Sequence, residues 1–342
     1  MILFRCNANS RLGFGHLARC RALASAFLDY GVECGMVGPD KIYATESDCR
    51  IFKIWVPVLN WNTSKEDASL FVDIIHAHNG IAAVIDDYRV DEDYQIILRD
   101  AGVKWLQFEA CFDKPIWADW LLYANPGAKD VDFYASMRRT DTILMVGAKY
   151  AILRKEFSMV VPKESDGIET LLVVFGGGDD RGAILFTLKE ILNNFGEQFN
   201  VTVISGSGNP NNNELVRYIA NCGENVNIII NPDDITKIMS TSDVAITSGG
   251  TLTYELSACN VPMVIIAISD DQKASLAWQN LNCGIYLGSL PDLIEGEITN
   301  ALDRLLNEKD LIPRMKKSLS ETVDGNGAER VSGTVLRGLG VL

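Results

Sequence analysis

Short apolar runs alternate with amphipathic stretches along nearly the whole chain. Residues 2–6, Ile2-Leu3-Phe4-Arg5-Cys6, open it as a strand-like run. Leu17, Cys20, Leu23, Ala24, Phe27 and Leu28 then recur at helical spacing, and Gly31 follows as a C-terminal stop. The pattern next predicts a strand over 32–37, a helix over 66–76, a strand over 81–85, a helix over 91–101 and a strand over 103–108. A second series starts near residue 170. It predicts strands over 171–175, 201–205, 226–230, 244–247 and 263–267, with helices over 183–195, 214–222, 235–239, 252–259 and 272–281. Between the series lies a polar break over 156–169, containing Pro162, Lys163, Glu164, Ser165, Asp166 and Gly167, which reads as a linker. A last amphipathic helix near 328–339 is expected to pack back across it.

Strand–helix alternation of this kind predicts an α/β protein with parallel sheets and helices on both faces. Two such series predict two doubly wound domains facing each other across a central cleft, over 1–155 and 168–325, with 326–342 as the returning helix. Ligands of such sheets bind at the carboxyl ends of strands, so the strand-to-helix junctions are where chemistry is sought.

Composition narrows the picture. A chain of 342 residues suits two domains. Apolar residues at 47% and charged residues at 22% are those of a globular protein and argue against disordered or fibrous classes. The 31 basic and 45 acidic residues give a net charge of −14, most of it after residue 150. So acidic a surface excludes nucleic acid as an expected partner. An anionic ligand must instead be held by local groups such as helix N-termini. The eight cysteines form no C-x-x-C or zinc spacing and read as reduced, mostly buried thiols. No signal peptide and no membrane helix of about 20 apolar residues is visible, so a cytoplasmic, membrane-free monomer is expected.

The first junction is Arg11-Leu12-Gly13-Phe14-Gly15-His16. Gly13 and Gly15 allow close approach of backbone to a ligand. The motif falls short of G-x-G-x-x-G, and no acidic residue stands at a ribose position about 20 residues on, so a dinucleotide is disfavoured. His16 falls in the first helical turn, where the positive dipole end disfavours an imidazolium and favours a base-competent ring. The competing reading is a histidine that merely caps or packs. His76 and His78 do not share a helix face and read as surface residues. The second junction is Asp86-Asp87-Tyr88: a carboxylate pair for acid–base work, or plain capping of the next helix. A metal is disfavoured there, since no third ligand stands at a recognisable spacing.

The third junction, Phe175-Gly176-Gly177-Gly178-Asp179-Asp180, is either a simple turn or a close approach to a ligand. The fourth, Thr247-Ser248-Gly249-Gly250-Thr251 followed by Glu255, is an anion cradle of backbone N–H groups and hydroxyls, with Glu255 placed to accept ribose hydroxyls. Its bland alternative is a Ser/Thr-capped helix bearing a surface glutamate. The fifth is Ser269-Asp270-Asp271-Gln272, a cleft border or an N-cap.

Taken together, these segments resemble one family. They are Arg5, the Gly13-Phe14-Gly15-His16 loop with Arg19-Cys20 and Leu23-Ala24, Asp86-Asp87-Tyr88, the run 147–157 (GAKYAILRKEF), Phe175-Gly176-Gly177 and Gly249-Gly250-Thr251 with Glu255. The family is the UDP-2,4-diacetamido-2,4,6-trideoxy-β-L-altropyranose hydrolases of pseudaminic acid biosynthesis, with the related spore-coat polysaccharide proteins. The resemblance spans nearly the whole chain. It implies a GT-B fold of two facing Rossmann-like domains and metal-independent, cofactor-free hydrolysis of a UDP-sugar. By position, it implies His16 as the water-activating residue and Tyr88 as an active-site tyrosine. It implies the 248–251 loop (Ser248, Gly249, Gly250, Thr251) as the diphosphate cradle, Glu255 as the ribose ligand and backbone near Ile230 as the uracil site. Asp271 is read as catalytic, and Gly13, Gly15, Asp87, Gly177 and Gln272 as substrate-binding.

The chain departs from the family at three places: Asn7 and Glu109-Ala110 replace aspartates, and Asp271 replaces an asparagine. A carboxylate within about 4–6 Å of a diphosphate shifts local pKa values by a unit or more, so these positions bear on which sugar is taken. The leading expectation is an inverting UDP-sugar hydrolase. A GT-B glycosyltransferase and a nucleotide-sugar-binding protein without catalysis are the alternatives. The slightly acidic N-terminal half, with no apolar and basic stripe, favours hydrolysis over membrane-acting transfer.

Overall fold

The computed structural model describes residues 1–8, 14–109, 111–164 and 167–342. The chain divides into two compact units: residues 1–155 with 326–342, and residues 156–325. The first is built on a seven-stranded parallel sheet. Its strands are β1 Ile2–Cys6, β2 Cys34–Gly38, β3 Phe52–Pro57, β4 Ala82–Asp86, β5 Trp105–Phe108, β6 Trp120–Tyr123 and β7 Ile143–Val146, in the order β3-β2-β1-β4-β5-β6-β7. The second holds β8 Thr170–Val174, β9 Asn200–Ser205, β10 Val226–Ile230, β11 Val244–Ser248, β12 Met263–Ala267 and β13 Gly284–Ser289, in the order β10-β9-β8-β11-β12-β13. Every strand pair is parallel.

Several of these elements carry only weak patterns. β6 and β7 are four residues each, and β3 mixes Lys53 among its apolar positions before ending at Pro57. They acquire strand identity by joining an existing sheet edge rather than by their own periodicity. β13 and the helices Glu297–Asn307 and Leu311–Thr322 extend the second unit beyond the alternation read from the sequence. The stretch read as one helix over 272–281 is a 3-10 turn, Asp270–Ser275, followed by a short helix, Leu276–Asn280.

Alternation along each strand sends successive side chains to opposite faces of the sheet. On one face of the first sheet, Ile2, Phe4, Cys6, Ala82 and Val84 pack under the helices Gly15–Asp29 and Gly327–Gly338 through Leu17, Cys20, Leu23, Phe27, Val331 and Val335. On the other, Leu3, Ala83 and Ile85 meet the helices Ser64–Ala77 and Glu92–Asp100 through Phe71, Ile75, Tyr94 and Leu98. In both sheets the winding reverses between the first and fourth strands in chain order. That is the switch point of a doubly wound sheet, where loops diverge and a ligand finds room at the carboxyl end. In the first sheet the point lies between Cys6 and Asp86, which are paired in register; in the second it lies between Val174 and Thr247.

Candidate active site

The helix Gly15–Asp29 begins beside the first switch point, with His16 and Arg19 one turn apart and therefore on one face. Asp86 ends β4 on the face that this helix covers. The result is a compact constellation. His16 Nδ1 lies 2.6 Å from Asp86 Oδ1. Arg19 donates to both oxygens of Asp86, through Nε at 3.1 Å and Nη2 at 2.9 Å. The ring of Tyr88 meets the imidazole edge-on, with centroids 4.6 Å apart. Asp86 is fully buried, whereas Tyr88 is half exposed. Burial pushes the Asp86 carboxyl up, but Arg19 and the hydrogen bond from His16 outweigh it and hold the group below the ordinary aspartate value. Burial likewise opposes the charge of Arg19, and Asp86 reverses that, with the Tyr88 hydroxyl adding to it.

The hydrogen-bond roles assign the imidazole tautomer. Arg19 Nη2 also lies 3.1 Å from His16 Nδ1, but a guanidinium only donates. The shorter contact, to an ionised carboxylate, requires the proton on Nδ1. Nε2 of the neutral ring is then the nitrogen with a free lone pair, the arrangement a general base needs.

Asp86 and Asp87 are adjacent, and alternation separates them. Asp87 is buried among different partners, bound by Arg89 at 2.6–3.1 Å and facing Arg5 at 4.0 Å. Arg5 itself forks onto Asp67 at 2.7 and 3.0 Å. The two carboxylates that look like a pair in sequence thus sit in separate networks. Gly15 opens the helix, and among the described residues a Cβ there would meet no atom within 4 Å. Gly13 lies outside the described residues. His76 and His78 are exposed at a helix end.

The second switch point uses other material. Gly176 takes a positive φ of 106°, which only glycine adopts readily. Gly177 is exposed, and its backbone abuts Gly206, where any Cβ would collide with the Gly177 carbonyl. After β11, Gly249 donates its N–H to Gln272 Oε1 at 3.1 Å, and Ile268 donates to the same oxygen at 3.0 Å. Ser275 Oγ donates to the Gly249 carbonyl at 2.6 Å. A Cβ on Gly249 would strike Ser275 and the Gln272 carbonyl, so glycine is demanded by the 269–275 segment. Ser248 is buried and Thr251 is exposed at the start of the helix Leu252–Ala258. That helix has seven residues, so its dipole is small and the loop's own N–H and hydroxyl groups matter more. Glu255 is half-buried one turn in, Asp271 is exposed, and Ile230 is exposed at the end of β10. Among the described residues, no three His, Cys, Asp or Glu side chains converge as a metal site.

Comparison with known proteins places this architecture. The chain is similar over 98% of its length to the crystal structure of MurG from Acinetobacter baumannii, covering 99% of that chain at a TM-score of 0.68 and 14% identity. It is similar over its whole length to the S. aureus MnaA–UDP co-structure, covering 97% of that chain at a TM-score of 0.67 and 14% identity. The chain has the GT-B fold. Within this GT-B chain, residues 171–328 match the glycosyltransferase family 28 C-terminal domain. That match takes in both glycine turns of the second unit. The resemblance carried by the motifs recurs in a similarity to the UDP-2,4-diacetamido-2,4,6-trideoxy-beta-L-altropyranose hydrolase of Campylobacter jejuni, 25% identical over 278 residues, which are 81% of this chain and 95% of that protein. Among the described residues, no helix of the GT-B chain is long and apolar enough to cross a membrane.

Sequence reasoning named His16 and Tyr88 for the first unit, and the structure brings them together. It read Asp86 and Asp87 as one carboxylate pair and took Asp87 alone as a substrate ligand, and it gave Arg19 no role. The i, i+3 spacing of His16 and Arg19 was the available signal; which aspartate they meet depends on strand parity.

Proposed function

We propose that this protein hydrolyses a UDP-activated amino or deoxy sugar to UDP and the free sugar, with inversion and without a metal or cofactor. The observation that carries the reading is the His16–Asp86 pair at the carboxyl end of the first sheet. Water bound near His16 gives its proton to Nε2 as its oxygen attacks the anomeric carbon. The bond from that carbon to the diphosphate oxygen breaks, and its electron pair leaves with UDP. Asp86 accepts from Nδ1–H throughout, orienting the ring and balancing the imidazolium that forms. Tyr88, at the imidazole edge, lines the sugar side. The loop 248–251 receives the diphosphate, Glu255 the ribose and the end of β10 near Ile230 the uracil. Gln272 holds the loop in shape through Gly249, and Asp271 stands at its rim. Gly15 and Gly177 line the substrate.

The similarity to the Campylobacter jejuni hydrolase supports water as the acceptor, and the family 28 match supports the second reading, transfer to a sugar acceptor. With all eight cysteines free, we place the enzyme in the reducing cytoplasm, acting as a monomer on a UDP-sugar. The test is a panel of UDP-sugars incubated with the purified protein, with free UDP and free sugar both measured. Equal amounts of the two mark hydrolysis. UDP release only when a sugar acceptor is added marks transfer, and binding without release marks the third alternative.

A further inference from the structure

Asp86 has no exposure to solvent, yet its role as acceptor from His16 requires a carboxylate. A lone carboxylate in such a place is strongly disfavoured and takes up a proton. Protonated, Asp86 would change from acceptor to donor. Its O–H would then point at Nδ1, the imidazole proton would move to Nε2, and the nitrogen needed as base would carry a hydrogen. Among the described residues, few groups face this pair. Tyr88 follows β4, Cys6 ends β1, and Arg19 and Cys20 come from the helix. The Cys20 thiol is pushed well up by burial and stays neutral, so it supplies no charge. Arg19 is the cation among them. Its planar fork meets both Asp86 oxygens, and its guanidinium is seated 5.6 Å from the centre of the Phe108 ring.

We propose that Arg19 is a positioning residue: by holding Asp86 as a carboxylate, it fixes the His16 proton on Nδ1 and leaves Nε2 as the basic nitrogen. The inference rests on His16 being the base, but its central readout needs no substrate. The chain has three histidines, so the ring nitrogens of His16 are identified in a ¹⁵N-labelled sample by the signals that His16→Asn removes. In the wild type, with the ring neutral, Nδ1 carries the proton and Nε2 is bare. In Arg19→Met the proton moves to Nε2, and turnover of the UDP-sugar falls about 100-fold with KM nearly unchanged, as a misplaced base implies. Arg19→Lys keeps a charge without the fork; it restores the Nδ1–H tautomer and part of the turnover.

A wild-type ring protonated on Nε2 overturns the proposal, as does a folded Arg19→Met protein that keeps the Nδ1–H tautomer. A raised KM with unchanged kcat overturns it too, because Arg19 is then a substrate contact. If Arg19→Met does not fold, Arg19→Gln is read in the same way, with the same tautomer change expected. Should no UDP-sugar be turned over by the wild type, the hydrolase reading fails while the tautomer result still decides the role of Arg19.

Discussion

At the ends of β1 and β4 the first unit gathers four side chains, His16, Arg19, Asp86 and Tyr88, within hydrogen-bond or ring contact. At the matching ends of β8 and β11 the second unit gathers glycines, hydroxyls and backbone, held in place by Gln272 and Ser275. The strand order around the two points is the same. The difference therefore lies in what the junctions carry rather than in the fold. A reacting centre needs a proton acceptor of fixed orientation, which only side chains on rigid elements supply. A diphosphate needs many weak donors at close range, which glycine-rich backbone supplies without obstructing its approach.

That contrast predicts separable losses. The largest expected effect is His16→Asn, which lowers turnover by about 100- to 10,000-fold while UDP affinity changes little. Rate assays paired with calorimetry check it, and joint loss of turnover and UDP binding would erase the division between the two regions. Next is Glu255→Ala. Losing a charged acceptor for ribose hydroxyls weakens UDP binding by about 1.5–3 kcal/mol. An unchanged dissociation constant removes Glu255 from the site. Thr251→Val should be smaller, about 0.5–1.5 kcal/mol, and confined to the diphosphate. Titrations with UDP and with uridine separate the cases, since equal loss for both would mean the loop does not hold phosphate.

Acid sharpens the same comparison through stability. In the first unit the buried Asp86 and Asp48 carboxyls lie below the ordinary aspartate value, because Arg19 and His16, and Arg21 with Thr45, outweigh the burial that would raise them. Such groups stabilise the fold fully above the unfolded aspartate value of about 3.9, and that contribution disappears as pH falls through their lower folded values. In the second unit the exposed Asp270 is lowered by Lys273, where solvent screens the interaction, and the buried Asp243 accepts from the Glu169 and Thr170 backbone N–H groups and pairs with Lys163 at 2.9 Å. The first unit should lose stability as pH falls below about 3.9. Trp55, Trp61, Trp105, Trp117 and Trp120 all report on the first unit, and Trp278 on the other. Tryptophan fluorescence followed through an acid titration should register that loss. A signal unchanged well below that value would show that Asp86 and Asp48 do not stabilise the first unit.

Much of the molecule was legible from local pattern. Helical spacing from Leu17 to Leu28 found the helix that carries His16, and the apolar runs over 171–175 and 263–267 found β8 and β12. β6 and β7 escaped because four residues leave no periodicity to measure, and their pairing partners lie elsewhere in the chain. The glycine turns were legible as turns, but their reasons were not. Gly249 is required by Ser275 and Gln272, and Gly206 by the backbone of Gly177. These are contacts made across loops from different strands.

By itself the sequence determined the α/β alternation, the two series and the position of His16 one step inside a helix, because periods of 3.6 and 2 are written in neighbouring residues. Tertiary structure decided which aspartate serves that histidine. Asp86 and Asp87 are indistinguishable as residue types, and the face each takes follows from the pleat of β4 and the register that pairs Cys6 with Asp86. One step of parity puts Asp86 under the helix with His16 and Arg19, and sends Asp87 to Arg89 and Arg5. No local pattern encodes that choice, since it depends on which helix covers which face of a sheet assembled from strands about 80 residues apart.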